Sequence, residues 1–234
     1  MSGARRFRIG AVHALVHSIQ PTLLAFERQW PKADVAHLLD GSLYLDRSHG
    51  TANEKELSTR IEHLLRYSFS TGAEGILFTG SFFADAVKQA RASIDIPIVA
   101  SFDGLIAHVF NLDKPLHVIA TAQDSATLLV DELEREASRR SFRMSISGQA
   151  VAGAMAALIA GDLDRHDQLV LDAVRATDSR SSVVFAQFSM ERVLERSVAV
   201  REAPVIGPAG EGVVQLRRLL SQALPDRRTV FDSC

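Results

Sequence analysis

Apolar residues along the chain alternate between short continuous runs and longer segments with helical spacing. The short runs predict eight strands, at Phe7–Val12, Val35–Leu39, Gly75–Thr79, Ile96–Ala100, Leu116–Ala120, Met144–Ile146, Val183–Phe185 and Pro204–Ile206. Apolar spacings of three and four residues predict helices at Pro21–Trp30, Glu54–Phe69, Phe82–Ala92, Ile106–Phe110, Ser125–Arg140, Ala150–Ile159, Leu163–Ala176, Met190–Ser197 and Gly212–Leu224. Strands that alternate with helices indicate parallel sheets with helices on both faces.

Two stretches half a chain apart look like copies of one element. Gly75–Phe83 and Ser182–Met190 align without a gap, so that Gly80 matches Gln187, 107 positions later. Each stretch is an apolar run that ends in small or polar residues and is followed by a helical pattern, as expected for a buried strand that leads into a functional loop. The sequence therefore predicts an α/β fold of two pseudo-symmetric parallel-sheet halves with an interdomain cleft.

Ligands of parallel sheets bind beyond the carboxyl ends of the strands, which selects the segments expected near the cleft. These are His13–Ser18, Asp40–Leu43, Thr79–Phe83, Ala186–Met190 and, after the fifth strand, Thr121–Ser125.

Composition narrows the class of protein. The chain has 234 residues, 47% hydrophobic and 23% charged, with a formal net charge of −2. That balance points to neither nucleic acid nor an anionic membrane as a partner. No apolar run approaches the roughly 18 residues of a membrane span, and the N-terminus lacks a signal-peptide pattern. The one cysteine, Cys234, cannot form an intramolecular disulfide, so we expect a cytoplasmic protein.

Several motifs, in order along the chain, resemble the aspartate/glutamate/hydantoin racemase superfamily. They are Ile9–Leu15 with Ser18 and Pro21, Leu38–Leu43, Gly72–Ser81, Gly161-Asp162 with His166-Asp167, and Ala186–Met190. The resemblance covers nearly the whole chain, and the group most similar to it is that of racemase-like proteins with an Ala-Gln-Phe-Ser-Met second loop.

The resemblance implies a first half made of residues 1–112 plus 204–234 and a second half made of residues 113–203, with the active site between them. Racemases of this superfamily use two cysteines, one per half, to remove and return the proton alpha to a carboxylate; arylmalonate decarboxylases keep the second cysteine, and maleate isomerases also rely on cysteine. The resemblance further implies a small-molecule carboxylate as ligand, a homodimer as one option, and no metal, flavin, nicotinamide or pyridoxal cofactor. No metal-ligand cluster or glycine-rich nucleotide loop stands in the sequence.

The chain departs from the two-cysteine pattern at both positions. Gly80 stands where the resemblance places the first cysteine, and Gln187 stands at or next to the second. Glycine has no side chain, and an amide neither gives nor takes a proton near neutral pH. Cys234 follows the last predicted helix, too far along the chain to replace either cysteine. Racemization by two thiols is therefore excluded.

Other residues offer chemistry at the predicted strand ends, each with a structural alternative. His13 is the candidate catalytic base, or else a hydrogen-bonded structural histidine. Ser81 and Ser189 could hold a carboxylate together with nearby backbone N–H groups, or cap helices. The remaining candidate ligand-binding residues are Ser18, Asp40, Thr79, Gly80, Thr121, Gln187 and Phe188. Asp40 could instead cap the turn before Gly41, and His166-Asp167 could serve packing rather than catalysis.

Two functions remain open from the sequence. The first is an isomerase-like, cofactor-independent enzyme that acts on a small carboxylic acid without the two-cysteine mechanism. The second is a catalytically inactive carboxylate-binding protein with the same fold. A titratable side chain facing Gly80 would favour the enzyme, and amides or hydroxyls alone would favour the binding protein.

Overall fold

The computed structural model describes residues 5–223. Its strands are β1 (Arg8–His13), β2 (Asp34–Leu39), β3 (Gly75–Thr79), β4 (Ile98–Val99), β5 (Leu116–Ala120), β6 (Ile146–Ala150), β7 (Ser182–Phe185) and β8 (Val205–Ile206). Its α-helices are α1 (Ile19–Gln29), α2 (Ser42–His49), α3 (Glu54–Ser70), α4 (Ala84–Arg91), α5 (Asp103–Val109), α6 (Gln123–Arg139), α7 (Ala154–Ile159), α8 (Leu163–Ala176), α9 (Leu194–Ala199) and α10 (Pro208–Ala223). Three 3-10 helices lie at Val16–Ser18, Ser81–Phe83 and Phe188–Val193.

The strands form two four-stranded parallel sheets of the same topology. Their orders are β2-β1-β3-β4 and β6-β5-β7-β8. The predicted α/β fold of parallel sheets with helices around them is confirmed. The chain divides into two compact units, whose described members are residues 5–104 with 212–223 and residues 105–211. The domain boundaries implied by the resemblance, after residues 112 and 203, stay a prediction.

The inner strands of the first sheet, β1 and β3, are buried because helices contribute apolar side chains to both faces. On one face, Ile76 and Phe78 of β3 pack with Ile61 and Leu65 of α3 in one apolar cluster. The other face of β3 meets α10: a side chain at Gly75 would touch Leu216 and Leu220, and one at Gly212 would touch Leu77. Glycine thus lets α10 lie directly on the strand.

The second sheet has its own apolar core. Ile119 of β5 and Val183 and Phe185 of β7 pack with Val170 and Val174 of α8. Arg201 stabilises the C-terminal end of α8. Its guanidinium donates to four backbone carbonyls at 2.7–2.9 Å, those of Val174, Thr177, Asp178 and Ser181. Because these oxygens end α8 and lead into β7, the arginine fixes the entry to the strand that precedes Gln187.

Several sequence predictions differ from the structure: Ala150, predicted to begin a helix, ends the sixth strand, and that helix begins at Ala154. The sixth strand is Ile146–Ala150 and not Met144–Ile146, since its Ser-Gly-Gln centre is exposed at the sheet edge and carries no apolar signal. Helix α2 was missed because it buries only Leu43. The helices predicted from Phe82 and from Met190 begin instead as 3-10 helices, at Ser81 and Phe188. Leu224 and Cys234 lie outside the described residues.

Candidate functional site

His13 is the last residue of β1, and its ring lies in a buried cluster of hydroxyl groups. Its Nδ1 is 2.8 Å from Thr79 Oγ1 and 3.0 Å from Ser18 Oγ, and the two hydroxyl oxygens are 2.8 Å apart. The three side chains come together because the register places His13 beside Thr79, while Ser18 closes the 3-10 turn that follows β1. The His13 ring is 0% exposed, so any ligand would meet it through a neighbour.

That neighbour is His37, a residue of β2 that the sequence analysis did not single out. Its Nδ1 lies 2.9 Å from His13 Nε2, and the two rings are nearly parallel, with centroids 5.2 Å apart. The register pairs His13 with Leu39, so alternation along β2 puts His37 on the face of the sheet that carries His13. The position of His37 beside His13 follows from the register between β1 and β2, and the residues of β2 alone do not predict that register.

Both imidazoles are neutral near pH 7. Burial, with a smaller contribution from His37, lowers the pKa of His13 from 6.5 to about 3. The residue His37 as a whole is exposed, but partial burial of its ring beside His13 lowers the pKa of that ring as well. A pair of neutral rings can exchange hydrogen bonds and accept a proton, whereas a pair of imidazolium ions could not.

Gly80 begins the loop after β3, and the space that a side chain would need there is filled. A Cβ atom at this position would lie 2.7 Å from a ring carbon of Phe78, 2.9 Å from one of Phe83 and 3.2 Å from the Ala14 methyl group. The two rings meet edge to face, with centroids 6.3 Å apart. The position that the resemblance assigns to the first cysteine is therefore occupied by apolar atoms, and its three nearest neighbours are carbon.

Asp40, which follows β2, is held in an ion-pair cluster. Its carboxylate accepts from the Ser42 backbone N–H at 3.0 Å and from Arg60 at 2.8 Å, and Arg60 also binds Asp46 at 2.6 Å. Burial alone would raise the pKa of Asp40, but the hydrogen bonds of Ser42 and Arg60 outweigh it and hold that pKa below its ordinary value. These contacts match the turn-capping role and tie α2 to α3.

Ser81 and Ser189 both lie inside the 3-10 helices that follow the matching strands. The N-cap residues are Gly80 and Gln187, and neither helix has a side-chain cap hydrogen bond. Ser189 is buried, as is Phe188 beside it, and Ser81 is half-buried. Neither serine is therefore an N-cap residue, and their role in ligand binding stays a prediction.

Gln187 follows β7 and is locked by Thr121, which follows β5. Its Oε1 accepts from the Thr121 backbone N–H at 2.6 Å and from Thr121 Oγ at 2.8 Å. A backbone N–H can only donate, so the oxygen of the amide must face Thr121 and the nitrogen must face away. Within residues 5–223, the Gln187 Nε2 has no hydrogen-bond partner, which leaves its N–H groups available as donors.

The segment after Gln187 is braced from two sides of its own unit. The Glu191 carboxylate accepts from the backbone N–H of Ala209, at 2.6 Å, in the first turn of α10. Gly207 permits this approach, because a Cβ there would lie 2.4 Å from the carboxylate. Arg192 donates to both oxygens of the buried Asp167, at 3.1 and 3.3 Å.

Asp167 also binds the neighbouring His166, whose Nδ1 lies 2.9 Å from the carboxylate. Both residues belong to α8 and are buried. The contacts of Asp167 with Arg192 help to hold the 3-10 helix Phe188–Val193 in place, as expected for the packing role. The remaining ring nitrogen of His166 is buried without a partner in the described part of the chain.

The two units repeat each other at a constant spacing. Ile9 pairs with Gly75 in the first sheet, and Leu116 pairs with Ser182 in the second, each residue 107 positions later. The spacing recurs in the next strand pair, where Ile76–Ile98 corresponds to Val183–Val205. The predicted duplication is thus visible in the registers of three strands per sheet.

The polar groups do not repeat with the strands. The same spacing places Ala120 and Ala186 at the positions of His13 and Thr79, and it places Thr121 and Gln187 at those of Ala14 and Gly80. Each unit therefore carries its polar pair where the other carries small residues: imidazole and hydroxyl in the first, amide and hydroxyl in the second. Ser18 is an exception, since the same spacing matches it with Ser125.

Several solved structures with folds similar to this chain are racemases. A glutamate racemase from Bacillus anthracis superposes with a TM-score of 0.70 and 14% identity over 93% of this chain and 83% of that one. An allantoin racemase from Klebsiella pneumoniae gives 0.68 and 12% over 93% and 89%. A Picrophilus torridus aspartate racemase gives 0.67 and 10% over 92% and 94%. No protein-family model and no curated protein matches the chain.

The fold is thus that of racemases in its architecture: two four-stranded parallel sheets of one topology, surrounded by helices. In particular, it is the fold of the glutamate, aspartate and allantoin racemases, as the motifs predicted. At these identities the likeness establishes the fold alone. Across residues 5–223, no helix is long and apolar enough to cross a membrane.

Proposed function

We propose that the protein binds a small carboxylic acid at the carboxyl ends of its parallel strands and acts on it without two thiols. The fold supports the choice of ligand, since proteins that share it include racemases of glutamate and aspartate. The residues at Gly80 and Gln187 support the exclusion of the thiol mechanism. A cytoplasmic location and a homodimeric state accompany the proposal as predictions.

The observation that carries the proposal is the fixed amide of Gln187. Thr121 holds its oxygen at 2.6 and 2.8 Å, so the nitrogen Nε2 lies on the opposite side of the amide. An N–H group of Nε2 can donate to a carboxylate oxygen, which only accepts. The braces at Glu191 and Arg192 keep the donor in place before a ligand arrives, which reduces the entropy lost on binding.

The enzyme is the first candidate because a titratable pair lies on neighbouring strands of the first sheet. His37 and His13 are in hydrogen-bond contact at 2.9 Å. The binding protein is the second candidate, and the surroundings of Gly80 favour it. There the three nearest atoms outside the two adjacent residues are ring and methyl carbons and not titratable groups.

Gln187→Glu is expected to weaken acid binding at least about tenfold, because a carboxylate would then face a carboxylate. The fold should be retained, since a glutamate oxygen can accept the same two bonds from Thr121. Binding is measured by calorimetry with succinate, glutarate, aspartate and glutamate, after a thermal-shift screen at millimolar concentration.

Gln149→Glu is the matched control, because it adds the same charge to an exposed position of the same sheet. Equal losses in the two variants would mean that net charge and not the Gln187 amide governs binding. Failure of every acid in the screen to raise the melting temperature would reject the proposed ligand class.

In heavy water, the protein is expected to exchange the alpha proton of aspartate or glutamate no faster than buffer does, because it has no thiol pair. Loss of the alpha-proton signal in one-dimensional NMR measures the exchange. A Cys234→Ser variant run in parallel removes the remaining thiol. Exchange that persists in this variant would contradict the expectation and show that another base acts. For any other acid that binds, exchange or isomerization would favour the enzyme, and binding without either would favour the binding protein.

A further inference from the structure

The hydroxyl groups beneath His13 form a hydrogen-bond chain with a defined direction. Ser18 Oγ lies 2.7 Å from the Leu15 carbonyl oxygen, which can only accept, so the single hydroxyl hydrogen of Ser18 is committed to it. Ser18 Oγ must then accept from Thr79 Oγ1, 2.8 Å away. The hydroxyl hydrogen of Thr79 is therefore used in the bond to Ser18 Oγ.

Thr79 can therefore serve His13 only as an acceptor. Its Oγ1 lies 2.8 Å from His13 Nδ1, and Ser18 Oγ lies 3.0 Å from the same nitrogen. A hydrogen on Nδ1 satisfies both contacts, whereas a lone pair there would face two oxygens, at least one of which had no hydrogen to offer. His13 is thus the tautomer with hydrogen on Nδ1 and a lone pair on Nε2.

The tautomer of His13 determines the tautomer of His37. The lone pair of His13 Nε2 requires a hydrogen on His37 Nδ1, 2.9 Å away. A neutral imidazole carries one hydrogen, so His37 keeps a lone pair on Nε2. The His37 residue is exposed, and within residues 5–223 its Nε2 has no hydrogen-bond partner.

We propose that this series of hydrogen bonds, from the Leu15 carbonyl through Ser18, Thr79 and His13, presents the His37 Nε2 lone pair as the hydrogen-bond acceptor of a ligand site on β2, two residues before the last residue of that strand. The ligand it takes is a small molecule with an O–H or N–H donor, such as the hydroxyl or ammonium group of a substituted carboxylic acid. His37 would touch this ligand, and His13 is a positioning residue behind it.

The ligand keeps its proton. Its O–H or N–H group donates a hydrogen bond to the His37 Nε2 lone pair, while His37 Nδ1–H donates to His13 Nε2. The lowered pKa of each ring keeps both rings neutral at pH 7, which leaves this lone pair able to accept a hydrogen bond.

Long-range hydrogen–nitrogen NMR of the native protein at pH 7 tests the tautomers directly, because protonated and unprotonated ring nitrogens differ widely in chemical shift. We expect protonated Nδ1 and unprotonated Nε2 in both His13 and His37. A His37→Gln variant identifies the signals. A native His37 with hydrogen on Nε2 would overturn the proposal.

Reactivity supplies a second readout that a purely structural role would not change. Diethyl pyrocarbonate acylates an imidazole through its lone pair, so His37 should react at Nε2 as readily as the exposed His49. The Ser18→Ala, Thr79→Val double variant removes the hydroxyl groups that keep the hydrogen on His13 Nδ1. His37 acylation should then fall about fivefold, because one neutral hydrogen bond changes the ratio of two tautomers by about that factor.

Peptide mass spectrometry follows each site, with His49 as the internal reference. An unchanged His37 rate in a folded double variant would contradict the proposal, and the NMR of the native protein decides the question if the variant does not fold. The inference depends on the proposed function only for the carboxylic acid. If no acid binds but His37 shows the expected tautomer and reactivity, the proposed function fails and this inference stands.

Discussion

Acidification from pH 7 to pH 4 should lower the free energy of unfolding of the native protein by about 3 kcal/mol more than that of a His13→Asn variant. The unfolded imidazole takes up a proton below pH 6.5, whereas the folded ring does so only near pH 3. Between these values the unfolded state binds more protons, so stability falls as the pH falls. Above pH 6.5 the two proteins should show parallel pH dependence.

Asparagine suits this comparison because its amide can reach the hydroxyl groups that His13 Nδ1 contacts, without an ionisable group. Urea unfolding at half-unit steps from pH 7 to pH 4 gives the two stability curves, and the difference between them isolates His13 from the carboxylates that both proteins share. Curves of equal slope through this window would show that His13 titrates normally in the folded state.

Gly80→Ala should destabilise the protein by about 1–3 kcal/mol, and Gly80→Cys by more, because each side chain must displace packed rings. The Cβ would lie 2.7 Å from Phe78 and 2.9 Å from Phe83. Phe78 is fully buried and Phe83 nearly so, which leaves little room for either ring to move. Placing a cysteine at this position should therefore not generate thiol chemistry on the present framework.

Gly41→Ala is the matched control, since a Cβ at Gly41 meets nothing within 4 Å and its backbone φ of −65° suits any residue. That change should be neutral or stabilise the protein by up to about 1 kcal/mol, by restricting the unfolded chain. Chemical unfolding of the three variants against the native protein gives the comparison. Equal stabilities for Gly80→Ala and Gly41→Ala would show that the rings yield without cost.

The strands that lie at the centre of each sheet were predicted well from the sequence. β3 and β5 were predicted at their observed bounds and β7 within one residue, since a strand buried on both faces must be continuously apolar. The edge strand β6 was misplaced because its exposed residues are polar and its position follows from pairing with β5. Pairing between distant segments has no local signal.

In the candidate site too, the features with a local sequence signal were predicted, and those that depend on pairing between distant segments were not. His13, Ser18 and Thr79 were selected from their places near strand ends, and the structure brings them together around one ring. His37 was missed because only the β1–β2 register puts it beside His13. The direction of the Gln187 amide likewise depends on Thr121, 66 residues away, and no pattern local to either residue specifies it.

Helix α10 has a consequence for the order in which the chain can fold. Residues 105–211 form a continuous stretch that carries a complete four-stranded sheet. The first sheet is complete in its strands by Val99, yet one face of β3 receives Leu216 and Leu220 only from α10. During synthesis from the N-terminus, that face stays uncovered until more than a hundred further residues have left the ribosome. The nascent first unit would therefore be exposed to misassembly during translation for longer than the second.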